Sequence, residues 1–130
     1  MSITTKQAAR AIELAAAKAQ EIKVPVNIVV LDTGGHLKHF VRMDGALLGS
    51  IDIAMQKAKT SMLFRMNSES VGEFLRPEAA AYGLENTNNG LVGFAGGRPI
   101  FSNDEIVGYI GVSGGAVPQD LLIAVEGCRI

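Results

Sequence analysis

The side chains able to do chemistry in this sequence are few and grouped. His36 and His39 are the only histidines, and Cys128 is the only cysteine. Residues three apart in a strand face opposite sides of a sheet, so the two histidines cannot chelate one metal ion from a regular strand. Nothing else has the Cys/His spacing of a zinc site. His39 shares a face with Leu37, Val41 and Met43, where an imidazole suits either an axial ligand of a haem iron or a hydrogen-bonded place in a core. Arg42, Asp44, Asp52 and Lys57 follow. Arg42 and Lys57 supply cations for carboxylates such as propionates or a small organic acid. The competing reading is an Arg42–Asp44 ion pair with Lys57 in solvent. Asp52 and Lys57 miss the i,i+4 spacing of a helical pair, so each needs another partner.

Gly111-Val112-Ser113-Gly114-Gly115 has the Gly-x-Ser-x-Gly spacing of a hydrolase elbow, but the context is wrong. An elbow passes directly into a helix, and its acid and histidine follow the serine. Here Pro118 delays the helix and no histidine follows Ser113, so nothing activates the hydroxyl. Gly108, Gly111 and Gly114 recur along one strand, where interior glycines are costly unless a helix or ligand approaches the backbone closely. The Ser113-Gly114-Gly115 backbone, just before a helix, is a natural cap for a carboxylate or phosphate oxygen. There is no phosphate loop and no dinucleotide fingerprint.

These residues must be held by α and β elements whose order is legible. Thr4 and Gln7 form a capping box before a helix running to about residue 22, with Ala8, Ile12, Ala15, Ala16, Ala19 and Ile22 on one face. Val26 to Leu31 and His36 to Met43 read as a hairpin around Asp32-Thr33-Gly34-Gly35. A helix from about Leu47 to Phe64 carries Leu48, Ile51, Met55, Ala58 and Met62 as its apolar stripe. Short helical pieces and a long loop, Tyr82 to Gly90, come next. Leu91 to Ala95 and Arg98 to Phe101 read as a second hairpin about Gly96-Gly97, Ile106 to Ser113 as a fifth strand, and a last helix starts at Pro118. Hairpins instead of crossovers imply an α+β fold with a five-stranded antiparallel sheet flanked by helices.

The chain has 130 residues, 48% hydrophobic and 19% charged, with 15 glycines and net charge -1. That is one domain, too apolar for disorder. Near-zero charge gives no field for nucleic acid or anionic membrane. No apolar run approaches the ~20 residues of a spanning helix, and the first residues lack a leader's apolar stretch, so the expected location is the cytoplasm. The unpaired cysteine fits it. Two strands are apolar or glycine-rich on both faces, so a second helical layer or another subunit must cover the remainder.

Several segments resemble the GlcG/HbpS family. They are Val30-Leu31-Asp32-Thr33-Gly34-Gly35-His36-Leu37, Arg42-Met43-Asp44-Gly45-Ala46, Gly49-Ser50-Ile51-Asp52-Ile53-Ala54 with Lys57-Ala58, Tyr82-Gly83-Leu84, Asn88-Asn89-Gly90-Leu91, Gly96-Gly97-Arg98-Pro99-Ile100 and Gly108 to Gly115. They span nearly the whole chain, as a single domain over residues 1–130. The same domain forms the carboxy-terminal part of PduO-type corrinoid adenosyltransferases, whose transferase activity belongs to their other domain. The resemblance implies a somewhat profilin-like sheet, homo-oligomers, and haem as a ligand of several members. It implies an association with glycolate, glycerol or diol utilisation. Two departures stand out: Leu47 where a proline usually follows Asp-Gly-Ala, and no histidine in the first helix. The resulting expectation is an oligomeric accessory protein binding haem or another tetrapyrrole. His39 is the candidate iron ligand, Arg42 and Lys57 hold anionic groups, and Ser113, Gly114 and Gly115 cap an oxygen. The alternatives are an enzyme for a small hydroxy acid or aldehyde, and an assembly factor for a glycerol or diol dehydratase. No catalytic constellation is identifiable.

Overall fold

The structure is a computed structural model describing residues 1–130. Helix α1, Thr5–Glu21, begins where Thr4 accepts the Gln7 N–H and Gln7 accepts the Thr4 N–H, a reciprocal cap that satisfies two orphan donors. Strands β1, Asn27–Asp32, and β2, Leu37–Arg42, form the expected hairpin. Asp32 closes it by accepting the Gly34 and His36 N–H groups at 3.0 and 2.9 Å. The His36 backbone donor, foremost among its partners, holds the Asp32 carboxyl below its usual range. Helix α2, Gly49–Phe64, and the short α3, Ser68–Gly72, lead through two 3-10 turns to β3, Gly97–Ser102, and β4, Glu105–Ser113. The β3–β4 hairpin turns on Asn103 and Asp104, both at positive φ, as a two-residue primed turn requires. Helix α4, Val117–Gly127, ends the domain.

The sheet is antiparallel with order β2-β1-β4-β3. It has four strands, not five. Leu91 to Ala95 do not pair as a strand, because their backbone is engaged elsewhere. The Val92 N–H donates to Thr60 Oγ1 at 3.0 Å, and the Phe94 carbonyl accepts Ser68 Oγ at 2.7 Å. Ser68 Oγ also accepts the Gly97 N–H at 2.9 Å, so side chains of α2 and α3 take the bonds a ladder would have used.

Helices α1 and α4 pack on one face of the sheet around Ile28, Val30, Ile110, Val112 and Ile123. The other face meets α2 in a smaller cluster of Val29, Leu31, Ala54, Ala58 and Tyr109. Only part of the expected apolar stripe of α2 packs: Ala58 is in the core and Met62 rests against the smaller cluster. Ser50, Ala54, Lys57, Ala58 and Ser61 are buried, whereas Leu48 and Met55 are exposed. Gly111 explains the choice: a Cβ there would collide with the Ala54 carbonyl and the Ala58 backbone. Of the two neighbours considered for the glycine strand, a helix occupies this position. Only the small-residue side of α2 can lie so close to β4.

Candidate functional site

The most buried charges form the anchor on which the site's surroundings rest. Lys57 has no exposed surface, and its Nζ donates to the Val112 carbonyl at 2.9 Å and to the Asp120 carboxylate at 3.1 Å. The Phe94 ring covers the ammonium, its centroid 5.0 Å away. Asp120 spends its other oxygen on the Gly115 N–H at 2.9 Å. Lys57 reaches this position past Gly96, where a Cβ would sit 2.8 Å from both Cδ and Nζ. Because Lys57 belongs to α2 and Asp120 to α4, the pair ties the two helical layers together around the end of β4. Burial pushes Lys57 down and Asp120 up, each shift partly offset by attraction to the other.

This geometry revises the picture of charges drawn from spacing. Lys57 is neither in solvent nor open to an external anion. The Ser113-Gly114-Gly115 turn does receive a carboxylate, but it is the chain's own Asp120. Ser113 is buried and makes no side-chain hydrogen bond. Asp120 was missed by sequence reasoning. Its signal was a lone carboxylate at the start of an otherwise apolar helix.

Arg42 and His39 lie on the edge strand β2. Arg42 aligns with Asn27 and Ser113 across the sheet, on the α2 face; His39 aligns with Val30 and Ile110, on the α1 face. The two therefore meet only around the open edge. Arg42 forms no ion pair with Asp44 or any other residue, and His39 is half-buried with no hydrogen-bond partner. Beside them a groove of ≈ 450 Å³ runs between α1 and the strand edge, lined by Ala16, Gln20, Val41, Arg42, Met43 and Asp44. The lining combines apolar surface with a thioether, an amide, the Asp44 carboxylate and the unpaired Arg42 at the strand edge. Met43 and Gln20 were not singled out in the sequence, because only the packing of α1 on β2 brings them to one opening. His36 pairs with Asp32 at 3.3 Å and is almost fully exposed. No group of three or more His, Cys, Asp or Glu residues is placed to hold a bare metal ion. Burial pushes the Cys128 thiol up to about 11, so it is an unreactive packing group.

Comparison with known proteins places this arrangement. An uncharacterised 15.0 kDa protein in the dhaT-dhaS intergenic region of Citrobacter freundii is 42% identical over 120 residues, 92% of this chain and 82% of that one. The corrinoid adenosyltransferase PduO of Citrobacter freundii is 34% identical over 125 residues, which cover 95% of this chain but only 37% of PduO. A solved complex of PduOC with haem superposes with a TM-score of 0.92 at 30% identity, covering 98% of this chain and 94% of that one. The family model described as haem degrading protein HbpS-like matches residues 3–129. With that match spanning almost every residue, the chain belongs to the HbpS-like family, with GlcG and PduO proteins among its relatives.

Proposed function

We propose that this protein binds haem or a related tetrapyrrole in the groove between α1 and β2, as an accessory protein without a catalytic constellation of its own. The observation that carries this reading is the unpaired Arg42 at the strand edge of a groove whose apolar lining is Ala16, Val41 and Met43, with Gln20 and Asp44 completing it. A tetrapyrrole has the matching chemistry, a flat apolar body with carboxylates at one edge. The haem-bound PduOC relative supports the same ligand class. The donor set fits: Ala16 and Val41 would pack the macrocycle, Arg42 would meet a propionate, and the Met43 thioether in the lining, or His39 on the same face of β2 beyond it, would supply an iron ligand. Haem, when bound, supplies a redox-active iron. The chain's own contributions are to orient the macrocycle, shield one face and hold its carboxylates.

Titration with haemin is expected to give a saturable Soret shift near one equivalent per subunit. Arg42→Ala should weaken binding about tenfold, the worth of one charge-assisted contact, and His39→Ala should move the Soret maximum. A shift that never saturates, or is indifferent to Arg42, contradicts the proposal.

The same protein is proposed to act as a homo-oligomer. Leu48 is 70% exposed and Met55 36% on one side of α2, beside Leu47 at 66%, an apolar patch at a place where the fold offers no cover. Sedimentation should show an assembly for the wild type and a single-subunit mass for Leu48→Glu/Met55→Glu. Equal masses would count against this interface.

A further inference from the structure

A second opening lies at the other end of the sheet, on the α2 face. It encloses ≈ 560 Å³ between the end of α2, the β1–β2 turn and the β3–β4 hairpin, with Arg65, Tyr109, Thr33, Phe101, Asp104 and Glu105 among its lining. Three observations mark it as built rather than incidental.

Tyr109 is 3% exposed, yet its hydroxyl has no protein hydrogen-bond partner. It is also absent from the buried polar atoms that lack a partner, so the oxygen keeps its access through this cleft. A buried phenol normally finds a partner within the protein. Burial pushes its pKa up, so the hydroxyl stays a donor well into the alkaline range.

Arg65 caps α2 in the left-handed conformation, φ 54°, where glycine or asparagine is usual. The cap is held by the Ser61 carbonyl, which accepts the N–H groups of Arg65 and Met66, and by Ser61 Oγ donating to the Met66 carbonyl at 2.7 Å. This conformation directs Arg65 from the end of α2, and its guanidinium makes no ion pair or hydrogen bond within the chain, leaving its donors open. The third observation is charge separation. Asp104, in no ion pair, stands on the hairpin that forms another wall, beside the apolar Phe101 and Ile106 and beside Glu105, which pairs with the N-terminal ammonium of Met1 at 3.7 Å.

We infer that this cleft is a binding site for a small zwitterion, a molecule with an apolar body carrying one carboxylate and one ammonium group. The carboxylate is held by the Arg65 guanidinium and the Tyr109 hydroxyl, both donors without acceptors in the protein. The ammonium is held by Asp104, because Glu105 already pairs with the N-terminal ammonium at 3.7 Å, and the body rests on Phe101 and Ile106. The site is separate from the tetrapyrrole groove and shares no lining residue with it.

The test is NMR titration of the intact protein with four probes: L-phenylalanine and 6-aminohexanoate as zwitterions of two charge spacings, hexanoate lacking the ammonium, and hexylamine lacking the carboxylate. At least one zwitterion should shift the Tyr109 and Arg65 resonances saturably, and bind at least about tenfold more tightly than both singly charged probes. Arg65→Gln and Tyr109→Phe should each weaken that binding about tenfold while leaving haemin titration unchanged. Tyr109→Phe keeps the ring that packs the core, and its spectrum verifies the fold. Equal affinity for all four probes, binding indifferent to both substitutions, or no binding by either zwitterion would overturn the assignment.

Discussion

Replacing Lys57 with methionine is expected to destabilise the domain by about 3–5 kcal/mol, the cost of leaving a buried charge without its partner. The methionine fills most of the volume, so the loss is electrostatic: Asp120 retains the Gly115 N–H but no cation, and the Val112 carbonyl loses a donor. The effect should depend on pH in a definite direction. Burial already raises the Asp120 pKa above its unfolded value, and removing Lys57 raises it further. A carboxyl whose folded pKa is raised binds its proton more tightly when folded. It therefore favours the fold at pH below that pKa and loses this contribution as pH rises through it. The variant should thus lie nearer the wild type at pH 5 than at pH 8. Lys57→Met/Asp120→Asn removes both charges while keeping an acceptor for Gly115, and should recover more than half of the loss. Urea unfolding of the three proteins at two pH values is the measurement. A single variant as stable as the wild type, or a double variant no better than the single, would show that the pair does not tie the helical layers together.

Gly111→Ala is expected to cost about 3 kcal/mol, roughly 10 °C in Tm for a domain of this size. The added methyl would meet the Ala54 carbonyl and the Ala58 backbone and side chain, which belong to a helix rather than to a flexible side chain. α2 must then shift off β4, and Lys57 rides on α2. The same substitution at Gly49, where a Cβ meets nothing within 4 Å, should leave Tm unchanged or raised. Equal effects at the two positions would contradict the close approach of α2 to the sheet.

The parts of the fold readable in sequence are those with local chemistry. The Thr4/Gln7 cap, the Asp32-Thr33-Gly34-Gly35 turn and the Asn103-Asp104 turn each announce themselves by residues whose side chains or φ preferences act within a few positions. What was misread depended on distant partners. Leu91 to Ala95 has strand-like composition, but hydroxyls from Thr60 and Ser68 take its backbone bonds. Leu48, Ile51 and Met55 have core-like spacing, yet the glycine strand admits only the alanine and serine side of α2. The candidate site shows the same division. Arg42 and His39 were visible as the right residue types, and strand alternation already put them on opposite faces, but that β2 is an edge strand, and which helix each face meets, follows only from the sheet order and register. Lys57 carried the right charge but the wrong environment, because its partner lies 63 residues away on α4. Tyr109 stood among glycines as the strand's one polar aromatic, and its unpartnered hydroxyl emerges only once β3, β4 and α2 enclose it.

Whether the groove beside Arg42 takes a tetrapyrrole is decided by a crystal structure of the protein grown with haemin. Porphyrin density is expected between α1 and β2, against Ala16, Val41 and Met43, with a propionate within hydrogen-bonding distance of the Arg42 guanidinium. Porphyrin bound elsewhere on the molecule, with the α1–β2 groove empty, would contradict it.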